Sequence, residues 1–159
     1  MKYRAYKYRL YPNKQQEVLL AKHFGCCRFI YNYALHKKVK AYQKDKTNLS
    51  RFDIQADLPK MKKSEEYRWL SEVNSLSLQA ALANLDSAFV KFFREKKGFP
   101  NFKSKKASKQ SFSIPQKTRV NFDEGRVYIP KFRQGIRTRF HRKFDGLVKT
   151  SVITRTSTC

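Results

Sequence analysis

The 159-residue sequence predicts an α+β fold: a small β-barrel with a block of helices inserted after its first strand. Three observations carry this. The opening stretch alternates apolar and charged residues, the middle of the chain repeats its apolar residues at three and four, and beyond Gly98 the chain breaks into short β-type runs between turn residues. A first strand so far in sequence from its partners implies a chain that leaves the sheet and returns to it. The expected organisation is therefore a first strand within 1–12, helices over 13–98, and the remaining strands over 99–159.

In the first stretch, Tyr6, Tyr8 and Leu10 share one face and Lys7 and Arg9 the other, as in a half-buried strand stopped by Pro12. Asn13 then offers an N-cap with Gln16 in the capping-box position and Glu17 in the first turn. A short helix is expected to about Phe24, ended by Gly25. A second is expected from about Cys26 to Lys44, with Cys27, Ile30, Tyr31, Ala34, Leu35, Val39 and Tyr42 on its apolar side. Two helices about a glycine over 13–45 read either as a helix-turn-helix or as an ordinary αα-hairpin.

Ser50 with Asp53 begins another short helix, which Pro59 is expected to interrupt. Residues 60–66 are charged and expected at the surface, and Trp69, Leu70 and Val73 are expected to anchor in the core. The clearest helix follows Asn74–Ser75: Leu78, Leu82, Leu85, Phe89 and Phe92 repeat at 4, 3, 4 and 3. Gly98 is its expected end, after the cations Arg94, Lys96 and Lys97. Strands are then expected at 111–114, 119–122, 126–129, 136–140 and 147–154, with Asp123-Glu124-Gly125 and Asp145-Gly146 as turns.

Composition narrows the function. The chain carries 36 Lys and Arg against 12 Asp and Glu, a net charge of +24. Its 13 Phe and 9 Tyr make it too apolar for a disordered basic tail. No apolar run approaches the roughly 18 residues of a membrane span, so no membrane partner is expected. Cys26, Cys27 and Cys159 form neither a disulfide framework nor a metal knuckle, which fits a reducing, cytoplasmic setting. His23, His36 and His141 lack metal-ligand spacing, and there is no Gly-rich phosphate loop. Asp53 and Asp57 form only an isolated pair, far from the converging acids that two-metal chemistry needs. No catalytic residue, metal ligand or cofactor is assigned to this chain.

A charge excess of this size calls for a polyanion, most often nucleic acid. The candidate contact residues are Lys7 and Arg9, Arg28, Lys37 and Lys40, Lys103, Lys105, Lys106 and Lys109, and Arg137 and Arg139. The Phe99–Phe102 turn is expected to be structural, with Phe102 buried and the lysines after it contacting phosphate.

The stretches from Tyr6 to Pro12, from Phe24 to Leu35 (FGCCRFIYNYAL) and from Lys97 to Lys103 (KGFPNFK) resemble the TnpB proteins, the insertion-sequence ORF-B family. Leu78–Phe89, Gln110–Phe112, Val127–Lys131 and Val152–Thr156 are similar to further blocks of that family, in the same order. The resemblance implies an RNA-guided DNA endonuclease whose partners are a guide RNA and DNA. It also implies a specific fold: a wedge-type, OB-like β-barrel with a helical recognition domain inserted after its first strand. In that architecture a RuvC-like nuclease domain and a zinc ribbon follow. The sequence stops at Cys159, with Ser157-Thr158-Cys159 in place of the family's continuation, and none of the RuvC carboxylates is present. The expectation is thus a nucleoid-associated, nucleic-acid-binding N-terminal lobe. The alternatives are one half of a split nuclease completed by a separately encoded RuvC-containing fragment, or a helix-turn-helix DNA-binding regulator. Leu147, Val148, Val152 and Ile153 are expected to lack part of their packing in such a lobe.

Overall fold

The computed structural model describes residues 2–156; the terminal Ser157-Thr158-Cys159 lies outside the described residues. The elements follow the expected order. Strand β1 (Arg9–Tyr11) leads into helix α1 (Lys14–Asp45), the short helices α2 (Arg51–Gln55) and α3 (Asp57–Lys63), a 3-10 turn (Arg68–Glu72) and helix α4 (Ser75–Glu95). Strands β2 (Lys109–Ile114), β3 (Arg119–Asn121), β4 (Arg126–Tyr128), β5 (Ile136–Arg139) and β6 (Ser151–Thr156) close the chain.

The return to the sheet is as expected: β1 pairs antiparallel with β5, so the helical block is inserted between two neighbouring strands. The strands do not close into a barrel. They form a four-stranded antiparallel sheet in the order β1-β5-β4-β3 and a separate two-stranded sheet, β2-β6. The reason is local: β2 and β6 exhaust their register on each other over six residue pairs, while β3 and β4 are three residues long. Closure would need the ladder to continue around without an edge.

The second departure is α1. The expected break at Gly25 is absent, and a single 32-residue helix runs through it. Its buried positions Leu20, His23, Phe24, Cys27, Ile30, Tyr31, Ala34 and Leu35 keep one stripe across the glycine. One continuous face packs on α4 and β2, and that burial outweighs the roughly 1 kcal/mol a helical glycine costs against alanine. The capping box of Asn13 and Gln16 forms as read. Beyond Leu35 the helix is less deeply buried: Val39 still packs against the core, as expected, but Tyr42 is exposed.

A Cβ on Gly25 would stand 3.6 Å from the Arg28 guanidinium, an ordinary contact. Gly25→Ala is therefore expected to stabilise the chain by about 0.5–1 kcal/mol, measured by denaturant unfolding. A turn with a left-handed glycine would give the opposite sign.

Other boundaries move for similar reasons. Ser50 and Asp53 cap α2 reciprocally, but the chain breaks at Ala56, and Pro59 sits inside the first turn of α3, where no intrahelical N–H is missed. Helix α4 ends at Lys96, in the left-handed region at φ 53°, before Gly98 is reached. Leu70 and Val73 are buried, whereas Trp69 is partly exposed. Phe102 is 59% exposed, so it is not the core anchor expected of it; Pro100 is the buried residue of that turn. Near the last strand Ile153 is buried, while Leu147 and Val152 are exposed.

Helices and strands share one core, in which Ile30, Leu35, Leu78, Leu82 and Leu85 adjoin Phe112, Ile114, Val127 and Ile136. His23 joins the two parts. It is 1% exposed, with its ring 5.0 Å from Phe112 and 5.5 Å from Phe132. Its Nδ1–H donates to the Leu19 carbonyl at 2.8 Å, and its Nε2 accepts the backbone N–H of Asn74, the residue capping α4, at 3.1 Å. Those two roles require the neutral ring. Burial lowers its pKa below 6.5, and the charge of Lys131 adds to this against the Leu19 bond.

The consequence for stability has a definite sign. The unfolded histidine takes its proton near pH 6.5, and the folded one resists it. The stabilisation is therefore complete above about pH 6.5, declines as pH falls through the window below, and levels off once folded His23 protonates. The slope is at most about 1.4 kcal/mol per pH unit. Urea midpoints measured between pH 7.5 and 5.5 should show the decline, and His23→Gln should flatten it.

Candidate nucleic-acid interface

Antiparallel pairing puts residues that face each other across strands on the same side of the sheet, and alternate residues of one strand on the same side too. In the four-stranded sheet, Arg9 stands opposite Arg139 and Tyr11 opposite Arg137. Arg137 also stands opposite Arg126. Asn121 pairs with Arg126 and Arg119 with Tyr128. All of these therefore share one face. The other face carries Leu10, Val120, Val127, Ile136 and Thr138 into the core.

The polar face thus holds five exposed arginines and two tyrosines. None of the chain's 12 acids lies in a strand. Glu124, in the turn between β3 and β4, is the acid that reaches the rim, where it accepts a bond from the Tyr128 hydroxyl. The arginines lean on the rings. The Arg119 guanidinium lies 4.2 Å from the Tyr128 ring centre, and Arg137 and Arg9 lie 5.2 and 5.8 Å from that of Tyr11. Arg126 donates to the Gly135 carbonyl at 2.8 Å. Gly135 is needed for space: a Cβ there would stand 2.9 Å from the Tyr128 ring and 2.9 Å from the Arg126 Cβ.

Of the residues singled out from sequence, Arg9, Arg137 and Arg139 meet on this face. Lys7 is exposed in the segment leading into it. Arg28 lies elsewhere, on α1, where it donates to the Gln110 side chain at 3.3 Å. Lys40 is exposed on the outer part of the same helix. Lys37 pairs with Asp57, and that bond raises its pKa. Lys105 and Lys106 are exposed in the loop after α4, and Lys109 is exposed at the first position of β2.

Lys103 differs from its neighbours. Its backbone is clamped by Asn32, which accepts its N–H at 2.7 Å and donates to its carbonyl at 2.9 Å. Its ammonium lies 4.4 Å from the Tyr31 ring centre, and desolvation lowers its pKa.

Sequence reading missed Arg119, Arg126, Tyr11 and Tyr128 as members of the site. Lys38 lies off this face, within the helical block, where its ammonium donates to the Leu49 carbonyl at 2.7 Å and lies 3.4 Å from Asp86. Among the described residues no three of His, Cys, Asp and Glu come together as a metal site would require. Burial pushes the Cys26 and Cys27 thiols up to about 11 and about 12, far from nucleophilic use. No helix among the described residues is long and apolar enough to cross a membrane.

Fold and surface together define an α+β unit whose strands present a cationic, aromatic-bearing face. Residues 1–47 match the family described as a Helix-turn-helix domain, of the OrfB/IS605 type, although α1 runs unbroken through that region here. A candidate RNA-guided DNA endonuclease of Streptomyces pristinaespiralis is 35% identical over 150 residues, covering 94% of this chain and 37% of that protein. InsQ of Escherichia coli, likewise a candidate RNA-guided DNA endonuclease by name, is 30% identical over 95% of this chain and 37% of its own length. The virulence protein VsdF of Salmonella dublin is 40% identical over 111 residues, covering 64% of this chain and 93% of that protein. The chain belongs to the TnpB-like ORF-B family and corresponds to its N-terminal part. It spans little more than a third of the length of the two endonuclease relatives.

Proposed function

We propose that this chain is the nucleic-acid-binding N-terminal lobe of a TnpB-like, RNA-guided DNA endonuclease, contacting guide RNA and target DNA. The observation that carries the reading is the placement of charge. A net +24 is arranged so that arginines face arginines across neighbouring strands with no acid between them. Like charges directly opposite each other destabilise a sheet, so this arrangement is costly for the chain alone and favourable once a polyanion covers it. Cleavage, in this reading, belongs to the part of the relatives' length outside this chain.

The test is the salt dependence of binding. Each phosphate neutralised contributes a log–log slope of about −0.9 on duplex DNA and about −0.7 on a single strand. Six contacts on a single strand would lower affinity about 300-fold between 50 and 200 mM salt. An affinity flat over that range would sink the reading.

A further inference from the structure

We infer that the outer face of the β1-β5-β4-β3 sheet is a track for an unpaired polynucleotide strand, with bases stacking at Tyr11 and Tyr128 and phosphates held by the arginines between them. The inference rests on the nucleic-acid reading above and adds which structural form of nucleic acid this face takes, and how.

Charge alone would suit any phosphate backbone; the rings make the difference. Tyr11 lies on one edge strand and Tyr128 two strands away, at a neighbour spacing of about 4.8 Å per strand. Arg137 stands between them, opposite both Tyr11 and Arg126. Tyr128 lies across the adjacent chain at Gly135, the position where any side chain would displace it. Tyr11 remains 38% exposed. Among the described residues neither ring is stacked on another aromatic side chain; Tyr11 has Arg9 and Arg137 beside it, and half-buried Tyr128 lies against Gly135 with Arg119 beside its ring and its hydroxyl bonded to Glu124.

Aromatic rings and guanidinium planes on an open sheet are the surfaces on which splayed-out bases stack. A duplex offers no base faces to such a surface, because its own stacking consumes them. Lys105, Lys106 and Lys109 lack this pairing of ring and cation, and suit a backbone of either form.

The test uses the full chain, labelled 12-nucleotide oligo(U) and oligo(dT), and a 12-base-pair DNA duplex, each titrated by anisotropy at several salt concentrations. Tyr11→Leu with Tyr128→Leu should weaken binding to the single strands about tenfold or more. The duplex should change less than twofold, and the salt slope should not change. Tyr11→Phe with Tyr128→Phe should bind as the parent does, because the stacking surface survives. Arg9→Gln, Arg137→Gln and Arg139→Gln together should instead reduce the single-strand slope by about 2. A loss on both oligonucleotides marks a track for either sugar, and a loss on one identifies the strand it carries; both support the inference. A leucine pair that binds single strands like the parent, or that loses the duplex equally, overturns it. If the parent chain shows no salt-dependent binding at all, the nucleic-acid reading itself fails, so the two failures are distinct. Thermal melting of each variant verifies that the sheet is intact.

Discussion

Leu82→Ala is expected to lower the free energy of unfolding by about 2–5 kcal/mol, seen as a fall in the urea midpoint with the slope unchanged. Leu82 is 1% exposed, in the cluster where α4 meets α1 and α2. The same core cluster includes Ile30, Leu35, Ile54, Leu78 and Leu85, each at 1% exposure or less. Truncation removes methyl groups from a region with no solvent to take their place, so both transfer and cavity terms apply. A domain this size is commonly stable by about 5–15 kcal/mol, so one such change consumes a large share of the total. Val90→Ala, on the same helix but 47% exposed, should have a much smaller effect. Equal losses at both positions would mean that α4 is not seated as described. Because α4 and α1 also hold β2 in place, the loss should extend to the strands, and added polynucleotide should partly offset it by binding the folded state.

The parts of this fold that were legible in the sequence are those decided locally. Asn13 and Gln16, Ser50 and Asp53, and the Leu78–Leu85 stripe declare themselves through short-range hydrogen bonding and helical period. Gly25 shows the limit of that logic. A glycine is a fair stop signal by its own preferences, yet the stripe from Leu20 to Leu35 keeps its register across it, and tertiary burial decides. Phe102 shows the reverse case, a large ring inside a specific-looking motif that the fold leaves outside.

The candidate interface was half legible for a related reason. Arg137 and Arg139 are visibly alternate residues of one strand, and so are Arg126 and Tyr128. What sequence does not disclose is that β4 and β1 both flank β5, in a register that sets Arg126 and Tyr11 beside Arg137. Pairing between residues more than a hundred positions apart is fixed by the whole core, and no local pattern encodes it.

The same distinction between local and long-range context divides the loop lysines. Lys105→Gln, Lys106→Gln and Lys109→Gln together are expected to weaken single-strand binding about a hundredfold at 0.1 M salt, if all three touch phosphate. Three contacts at a slope of about −0.7 each correspond to about two decades at that concentration. All three side chains are exposed, so melting should be unaffected. Lys103→Gln should behave differently. Its backbone is held by Asn32 and its ammonium rests on Tyr31, so it joins the loop to α1 rather than reaching outward. That single change should leave the salt slope nearly as it was. A triple variant with the parent's slope and affinity would show that the loop stands off the nucleic acid, and would leave the sheet arginines and the outer turns of α1 to account for the binding. A Lys103→Gln variant that alone lost about 0.7 of slope would show instead that its ammonium leaves the Tyr31 ring to meet a phosphate. The Asn32 clamp would then serve to aim that lysine rather than to fasten the loop.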